Sequence, residues 1–219
     1  MKLLLVSGAL SKRLQNELYK RQISYGFAIQ KFMQSFIEGC TANGLEVEVL
    51  CLLPVYKSDM PYRYKHFKKE YDNGVLYRYV PFFRGGAVYH IFVFLYFFLK
   101  VFWWSLLHRK DAYVCYDILI ASRCLGTVLG ASCGFGKTIA LATDMPGMLG
   151  DKIISYSELG LLDRIQIRSI YRSDYFVFLT GQMNRVLNPY NHPYLVVEGL
   201  ISEVDAHVSE GKNSTRDIL

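Results

Sequence analysis

Asp174-Tyr-Phe-Val-Phe-Leu-Thr180, Gly181-Gln-Met-Asn-Arg-Val-Leu-Asn188 and Tyr194-Leu-Val-Val-Glu-Gly199 are three successive pieces of one pattern. The first is a short apolar run rich in β-formers, the second a compact polar–apolar segment, the third another apolar run. Strand, short helix, strand is the repeating unit of a parallel α/β sheet. Beyond it the chain turns polar from Ser202 to Arg216, which reads as a linker. Asp217-Ile218-Leu219 reads as the opening of another strand. The expected organisation is one α/β unit over residues 1–201, a linker over 202–216, and the first residues of a second unit at 217–219.

Working towards the amino terminus, the same unit recurs. Leu3 to Ser7 has the continuous apolar character of a buried strand and closes at Ser7-Gly8-Ala9. Its Leu3–Val6 run is too short, and lacks the small-residue cleavage site, for a signal peptide. Leu10 to Tyr25 is polar and reads as irregular. From Gly26, apolar residues recur at helical spacing until Asn43-Gly44, a left-handed stop. Leu45 to Leu53 alternates as a strand, which makes the first right-handed crossover. In Tyr62 to Pro81, Asp72-Asn73-Gly74 lies between alternating aromatic segments and predicts a hairpin, either an insertion or an edge meander. Asp111–Tyr116 and Lys137–Thr143 read as strands, Ile118–Cys133 and Ile153–Ser173 as helices. The fold class is therefore α/β: a Rossmann-like parallel sheet flanked by helices, with a β-hairpin insertion.

In 219 residues the hydrophobic fraction reaches 52% and the aromatic fraction 15%, carried by 17 Tyr and 14 Phe. The formal net charge of +6 suits a nucleotide, a phosphate-bearing lipid or an anionic membrane surface, without choosing among them. Basic residues are dispersed, and the aromatic run lies in an apolar segment, which argues against nucleic acid. Five cysteines sit among apolar neighbours with no paired C-x-x-C spacing and read as buried reduced thiols of a reducing compartment.

Ala87 to Leu107 is apolar over 21 residues apart from His90, Lys100 and Ser105, long enough to span a bilayer. Both flanks are basic, and Trp103 and Trp104 stand near Lys100, Arg109 and Lys110, as at a membrane interface. Three readings stand open: a helix packed on the sheet, a helix with one face in the interface, and a transmembrane span; the first two can both hold, one side buried and the other offered to lipid.

Cys133-Gly-Phe-Gly-Lys-Thr138 resembles part of a P-loop, but Ala131 occupies the first glycine position, and the segment follows a helix and opens a strand. Gly134 and Gly136 read instead as a helix stop and turn. Asn213-Ser214-Thr215 fits a glycosylation sequon and reads as linker. Gly8 and Thr143-Asp144-Met145-Pro146 each follow a strand, at the sheet edge where α/β folds place ligands. Asp144 is the candidate base towards a hydroxyl, or a cap on the next turn. The histidines show no ligand spacing, so no metal is assigned.

The apolar strand closing at Gly8, Tyr25-Gly-Phe-Ala-Ile-Gln-Lys-Phe32, Thr143-Asp-Met-Pro146, Asp174–Thr180 with Gln182-Met-Asn184, and Pro193-Tyr-Leu-Val-Val-Glu-Gly199 come in a characteristic order. Together they resemble the amino-terminal lobe of bacterial GT-B glycosyltransferases of the family-4 type, those of capsule and exopolysaccharide assembly. The resemblance implies sugar transfer from a nucleotide-sugar donor to the hydroxyl of a lipid-linked or polysaccharide acceptor, with no cofactor. It implies that the acceptor sits on this lobe and the donor mainly on a second, carboxy-terminal lobe, so that this chain alone is inactive. It implies a cytoplasmic protein, peripheral on the inner face of the cell membrane. Asp144 is then the catalytic candidate. Gly8, Tyr25, Gly26, Thr180 and Glu198 would contact acceptor or donor phosphate. Three positions depart from the family: Gly8-Ala9 replaces a Gly-Gly pair, Asp144 stands where many members have histidine, and Gly181 where many have glutamate. The rival readings are a non-catalytic or split-enzyme subunit that pairs with a separate donor-binding chain, and a stand-alone nucleotide-binding module.

Overall fold

The computed structural model describes residues 1–53, 68–81, 86–109, 111–145, 148–149, 152–153 and 159–198. In chain order these form β1 (Lys2–Ser7), α1 (Lys12–Lys20), α2 (Phe27–Ala42), β2 (Glu46–Leu52), β3 (Lys68–Asp72), β4 (Val75–Val80) and α3 (Ala87–Leu107). There follow β5 (Ala112–Asp117), α4 (Ala121–Cys133), β6 (Lys137–Ala142), the short β7 (Met148–Leu149) and β8 (Lys152–Ile153), α5 (Leu161–Ile170), β9 (Tyr175–Phe178), α6 (Gly181–Leu187) and β10 (Tyr194–Val196). Among the described residues the main sheet has eight strands in the order β10-β9-β6-β5-β1-β2-β4-β3, all parallel except the edge strand β3. The Rossmann-like α/β class holds. The expected linker and the 217–219 strand lie outside the described residues.

The sheet is buried on both sides because its strands alternate two apolar sets. Leu4 and Val6 of β1 face α3, α4, α5 and α6, while Leu3 and Leu5 face α1 and α2. Such continuous apolar strands are the signature of a parallel sheet covered on both faces. The β3–β4 pair is the expected hairpin: Asn73 (φ 49°) and Gly74 (φ 77°) are both left-handed, as a two-residue type I′ turn requires. It sits at the sheet's edge, with β4 parallel to β2.

Two expectations are corrected. The segment after Gly8 is not irregular, since α1 occupies its middle. Ser11 caps it, its Oγ accepting from the Leu14 amide at 3.0 Å, and Leu14 and Leu18 bury one narrow stripe. The long helix expected from Ile153 is shorter: Lys152–Ile153 pair antiparallel with Met148–Leu149, and the helix begins at Leu161. The cysteine expectation holds for Cys51, Cys115 and Cys124, whose thiols burial pushes up, whereas Cys133 is exposed.

The apolar segment is α3, and its side chains fall into four rows of i, i+4 spacing. Tyr89, Val93, Phe97, Val101 and Ser105 are buried, the apolar ones within the core under the sheet. Phe94, Phe98 and Phe102 present their backbone to α4. Phe92, Tyr96 and Trp104 pack partly into the core on the other flank, a row that also holds Lys100. Ile91, Leu95, Leu99, Trp103 and Leu107 face outward, 49–76% exposed. The helix packs on the sheet along its length and leaves its outward row exposed, which fits the packed reading and is compatible with the interfacial one.

The contact with α4 is made by backbone. A Cβ on Gly126 would lie 2.6 Å from the Phe94 carbonyl oxygen, on Gly130 2.5 Å from that of Phe98, and on Gly134 2.6 Å from that of Phe102. Real Cβ atoms do not approach so near, so only glycine permits the two axes this distance. Rows of i±4 on both helices are the packing class that crosses at about −50°. Gly130→Ala should therefore lose about 1–3 kcal/mol by overpacking against fixed backbone. Gly39→Ala, in the last turn of α2 with nothing near its would-be Cβ, should be neutral or stabilising by up to about 1 kcal/mol. Urea unfolding of both variants checks the pair; equal effects would contradict the backbone-contact account.

On the opposite face the hairpin is tied to α1 through a buried carboxylate. Glu70 Oε1 accepts from the Tyr79 hydroxyl at 2.7 Å and from Ser11 Oγ, while Lys68 Nζ lies 3.6 Å from Oε2. Burial pushes the Glu70 carboxyl up, but the Ser11 and Tyr79 hydroxyls and the Lys68 ammonium together outweigh it, so it sits below the ordinary carboxylate range. A depressed folded value means stability present in full above the unfolded value of ~4.3, and lost as pH falls through the lower folded value. Glu70→Gln should cost about 1–3 kcal/mol at neutral pH and flatten the acid limb of the stability curve, measured by urea unfolding across that window.

Candidate functional site

β1 leads towards β2 and β4 on one side, while β5, β6, β9 and β10 progress to the other. The carboxyl ends of the adjacent strands β1 and β5 thus bound the switch-point crevice where open α/β sheets place ligands. Asp117, the last residue of β5, fills that position. It is 1% exposed. Its Oδ2 accepts from the Gly8 amide at 3.0 Å, its Oδ1 from the Leu119 amide at 3.2 Å, and Arg123 of α4 pairs with it. Arg123 is itself only 2% exposed, and its Nε has no partner among the described residues. Sequence reading ends this strand at Tyr116 and passes over both residues. The available signal was an acid at the tip of an apolar strand with an arginine six residues later.

The loop from β1 into α1 is saturated. Gly8 N–H donates to Asp117, Ala9 N–H to Ser7 Oγ at 3.0 Å, and Leu10 N–H to Gln30 Oε1 at 2.9 Å. Ser11 N–H donates to the Tyr79 hydroxyl at 3.1 Å and Lys12 N–H to Asp72 Oδ2 at 2.7 Å. Gln30, buried on α2, closes the clamp by donating through Nε2 to the Gly8 carbonyl at 2.8 Å. Nucleotide-binding loops keep such amides open to cradle phosphate. Here five consecutive ones are occupied by the protein's own acceptors. Gly8 shapes the crevice floor, and its amide is already engaged.

The remaining candidates lie along the same rim. Gly26 (φ 71°) is the amino-terminal cap residue of α2 and is exposed; Tyr25 beside it packs partly into the core. Tyr19, Tyr25, Gly26 and Phe27 border an open hollow of ≈ 790 Å³, with Tyr19 and Phe27 about three-quarters exposed. Asp144 follows β6, exposed, with Oδ1 accepting from the Met145 amide at 2.8 Å. Thr180 caps α6 after β9, and Glu198 follows β10; both are exposed. Gly8, Gly26, Asp144, Thr180 and Glu198 therefore share the carboxyl rim of the sheet, spread along it from β1 to β10. Of the membrane-contact candidates, Trp103 and Lys100 are exposed, and Trp104 is turned inward. Arg109 lies over the exposed Phe135 ring at 4.2 Å, and Lys110 lies outside the described residues.

Among the described residues no three His, Cys, Asp or Glu side chains gather as a metal site. The fold and rim define a Rossmann-like α/β domain with a closed loop after its first strand. Searches against protein-family models and curated protein sequences return no match to this chain.

The Asp117–Arg123 pair is the most deeply buried charge at this edge. Removing one partner leaves the other uncompensated, so Asp117→Ala should cost about 3–5 kcal/mol, whereas Asp117→Leu with Arg123→Met should recover much of that loss. Denaturant unfolding of the single and double variants reads this directly. Additive losses would show that the two side chains are not coupled.

Proposed function

We propose that this chain is the acceptor-side, amino-terminal lobe of a GT-B glycosyltransferase of the family-4 kind. In this reading it acts in transfer of a sugar from a nucleotide-sugar donor to a hydroxyl of a lipid-linked or polysaccharide acceptor. The observation that carries this reading is the contrast along one rim. The loop that would hold a phosphate is closed, while the neighbouring hollow offers exposed aromatic rings and the rim offers the Asp144 carboxylate. Aromatic faces with a nearby acceptor oxygen suit a polyol better than a diphosphate. The donor's phosphates then fall to a second lobe.

In the reaction, Asp144 accepts the proton of the attacking acceptor hydroxyl as the new glycosidic bond forms and the nucleoside diphosphate departs. Its Oδ1, held by the Met145 amide, fixes the carboxylate's orientation on the rim. Tyr25, Gly26, Thr180 and Glu198 line the acceptor's path, and Gly8 supports the floor beneath it. The outward row of α3, with Lys100 and Arg109, rests on the inner face of the cell membrane, bringing this rim to a lipid-borne acceptor.

Calorimetric titration of this chain with UDP, GDP and NAD should show no saturable binding; tight binding would favour the stand-alone nucleotide module. The polypeptide of the complete reading frame should release nucleotide from a UDP- or GDP-sugar in the presence of membranes. Asp144→Asn should slow that release by about 10²–10⁴-fold. No sugar-dependent release from that polypeptide would overturn the proposal.

A further inference from the structure

On the face of the sheet that α3 covers, Lys69 and Arg78 stand opposite each other in the antiparallel register of β3 and β4. Tyr96 and Lys100 of α3 complete a cleft with them, an open space of ≈ 370 Å³. Four cations border it; Lys68 turns its ammonium to Glu17 and Glu70, and the other three, Lys69, Arg78 and Lys100, converge on the cleft. Arg78 Nε lies 3.5 Å from Glu48 Oε2, the one carboxylate paired with them among the described residues, which leaves an excess of two positive charges. Aromatic faces hold two of the ammonium groups in place: Lys69 Nζ lies 5.7 Å from the Tyr71 ring centre and Lys100 Nζ 5.8 Å from that of Tyr96. Like charges held this close, with a single counter-charge, favour an anion between them.

Lys100 also stands beside the outward row of α3. Trp103 is three residues on, a helical neighbour, and Leu99 and Leu95 continue the same exposed apolar line. We propose that this cleft seats the phosphate of an anionic phospholipid, whose acyl chains pass over Leu95, Leu99 and Trp103. The inference rests on the membrane-facing reading of α3 given above and specifies the lipid chemistry that α3 meets. The charge excess selects an anionic headgroup, and the adjoining apolar row selects a lipid over a free phosphate.

Vesicle flotation of the intact chain tests this, comparing phosphatidylcholine alone with phosphatidylcholine mixed with phosphatidylglycerol. The protein should float only with the mixed vesicles. Lys69→Glu with Lys100→Glu, both exposed positions, should weaken that binding about tenfold or more. Arg13→Glu with Lys20→Glu makes the same charge change on α1 and should leave binding near the original level. Equal weakening by the two pairs, or none from the first, would overturn the cleft while leaving membrane binding intact. Binding to neutral vesicles alone would likewise overturn it. No flotation with either vesicle would remove the membrane reading itself. Titration with inorganic phosphate, followed by NMR of the lysine side chains, separates the two phosphate sources. Saturable binding of free phosphate at Lys69 and Lys100 without flotation would assign the cleft to a soluble phosphate and overturn the lipid.

Discussion

A helix that carries a large aromatic side chain on most of its turns cannot lie close to a neighbour unless that neighbour offers no side chains at the contact. α4 meets that condition with Gly126, Gly130 and Gly134, whose missing Cβ atoms leave room for the Phe94, Phe98 and Phe102 carbonyls. The spacing of four on both helices makes the contact a continuous seam. Once that seam is set, the rotation of α3 about its axis is set as well. One row must point to the sheet, one to the β4 flank and one to solvent. Everything distinctive about that side of the molecule follows, including which aromatic residue of the Trp103–Trp104 pair is exposed and which is not.

At the carboxyl rim the governing constraint is electrostatic. Asp117 and Arg123 are each almost wholly buried, and each is tolerable only with the other. The carboxylate uses its remaining capacity on the amides of Gly8 and Leu119, which fastens the end of β1 to the end of β5. A ligand phosphate placed in this crevice would have to displace an internal carboxylate from the same amide and sit beside its negative charge. Gln30 and Tyr79 close the rest of the loop in the same manner. The open surface on this rim therefore lies to the side, at the hollow next to α2 and at the exposed turn after β6.

Elements whose residues carry their own local signal were legible. The paired runs around Asn73-Gly74, the Asn43-Gly44 stop and the strand–helix–strand of 175–196 each state their conformation in one contiguous stretch. α1 was not legible because its stripe is only Leu14 and Leu18, with polar residues on every other face. Its stability comes from Ser11 and from docking on the hairpin, which is distant in sequence. The start of α5 was overextended because Ile153 fits a helical period as well as a two-residue ribbon. Gly134 drew attention as part of a broken P-loop, and Gly126 and Gly130 drew none. Their actual partners are carbonyl oxygens, which leave no mark in a sequence. The rim candidates Gly8 and Asp144 were reachable from their position after strands. Asp117 and Arg123 were not singled out, because a buried ion pair looks in sequence like two ordinary charges.

The outward row of α3 poses a question that packing alone does not answer. Three of its four rows supply the contacts with the sheet, with α4 and with the β4 flank, and those contacts would survive if Ile91, Leu95, Leu99, Trp103 and Leu107 were polar. Scattered exposed apolar residues are ordinary, but five at regular spacing along one helix form a connected strip. Complete burial of such a side chain is worth about 1.5–3 kcal/mol, and each of these, half exposed or more, forgoes a good part of that by remaining in water. A fold that does not need the strip nevertheless carries it unbroken from Ile91 to Leu107 and borders it with Lys100 and Arg109. The apolar strip and the cations beside it are thus better understood as one surface than as two unrelated features of a buried element.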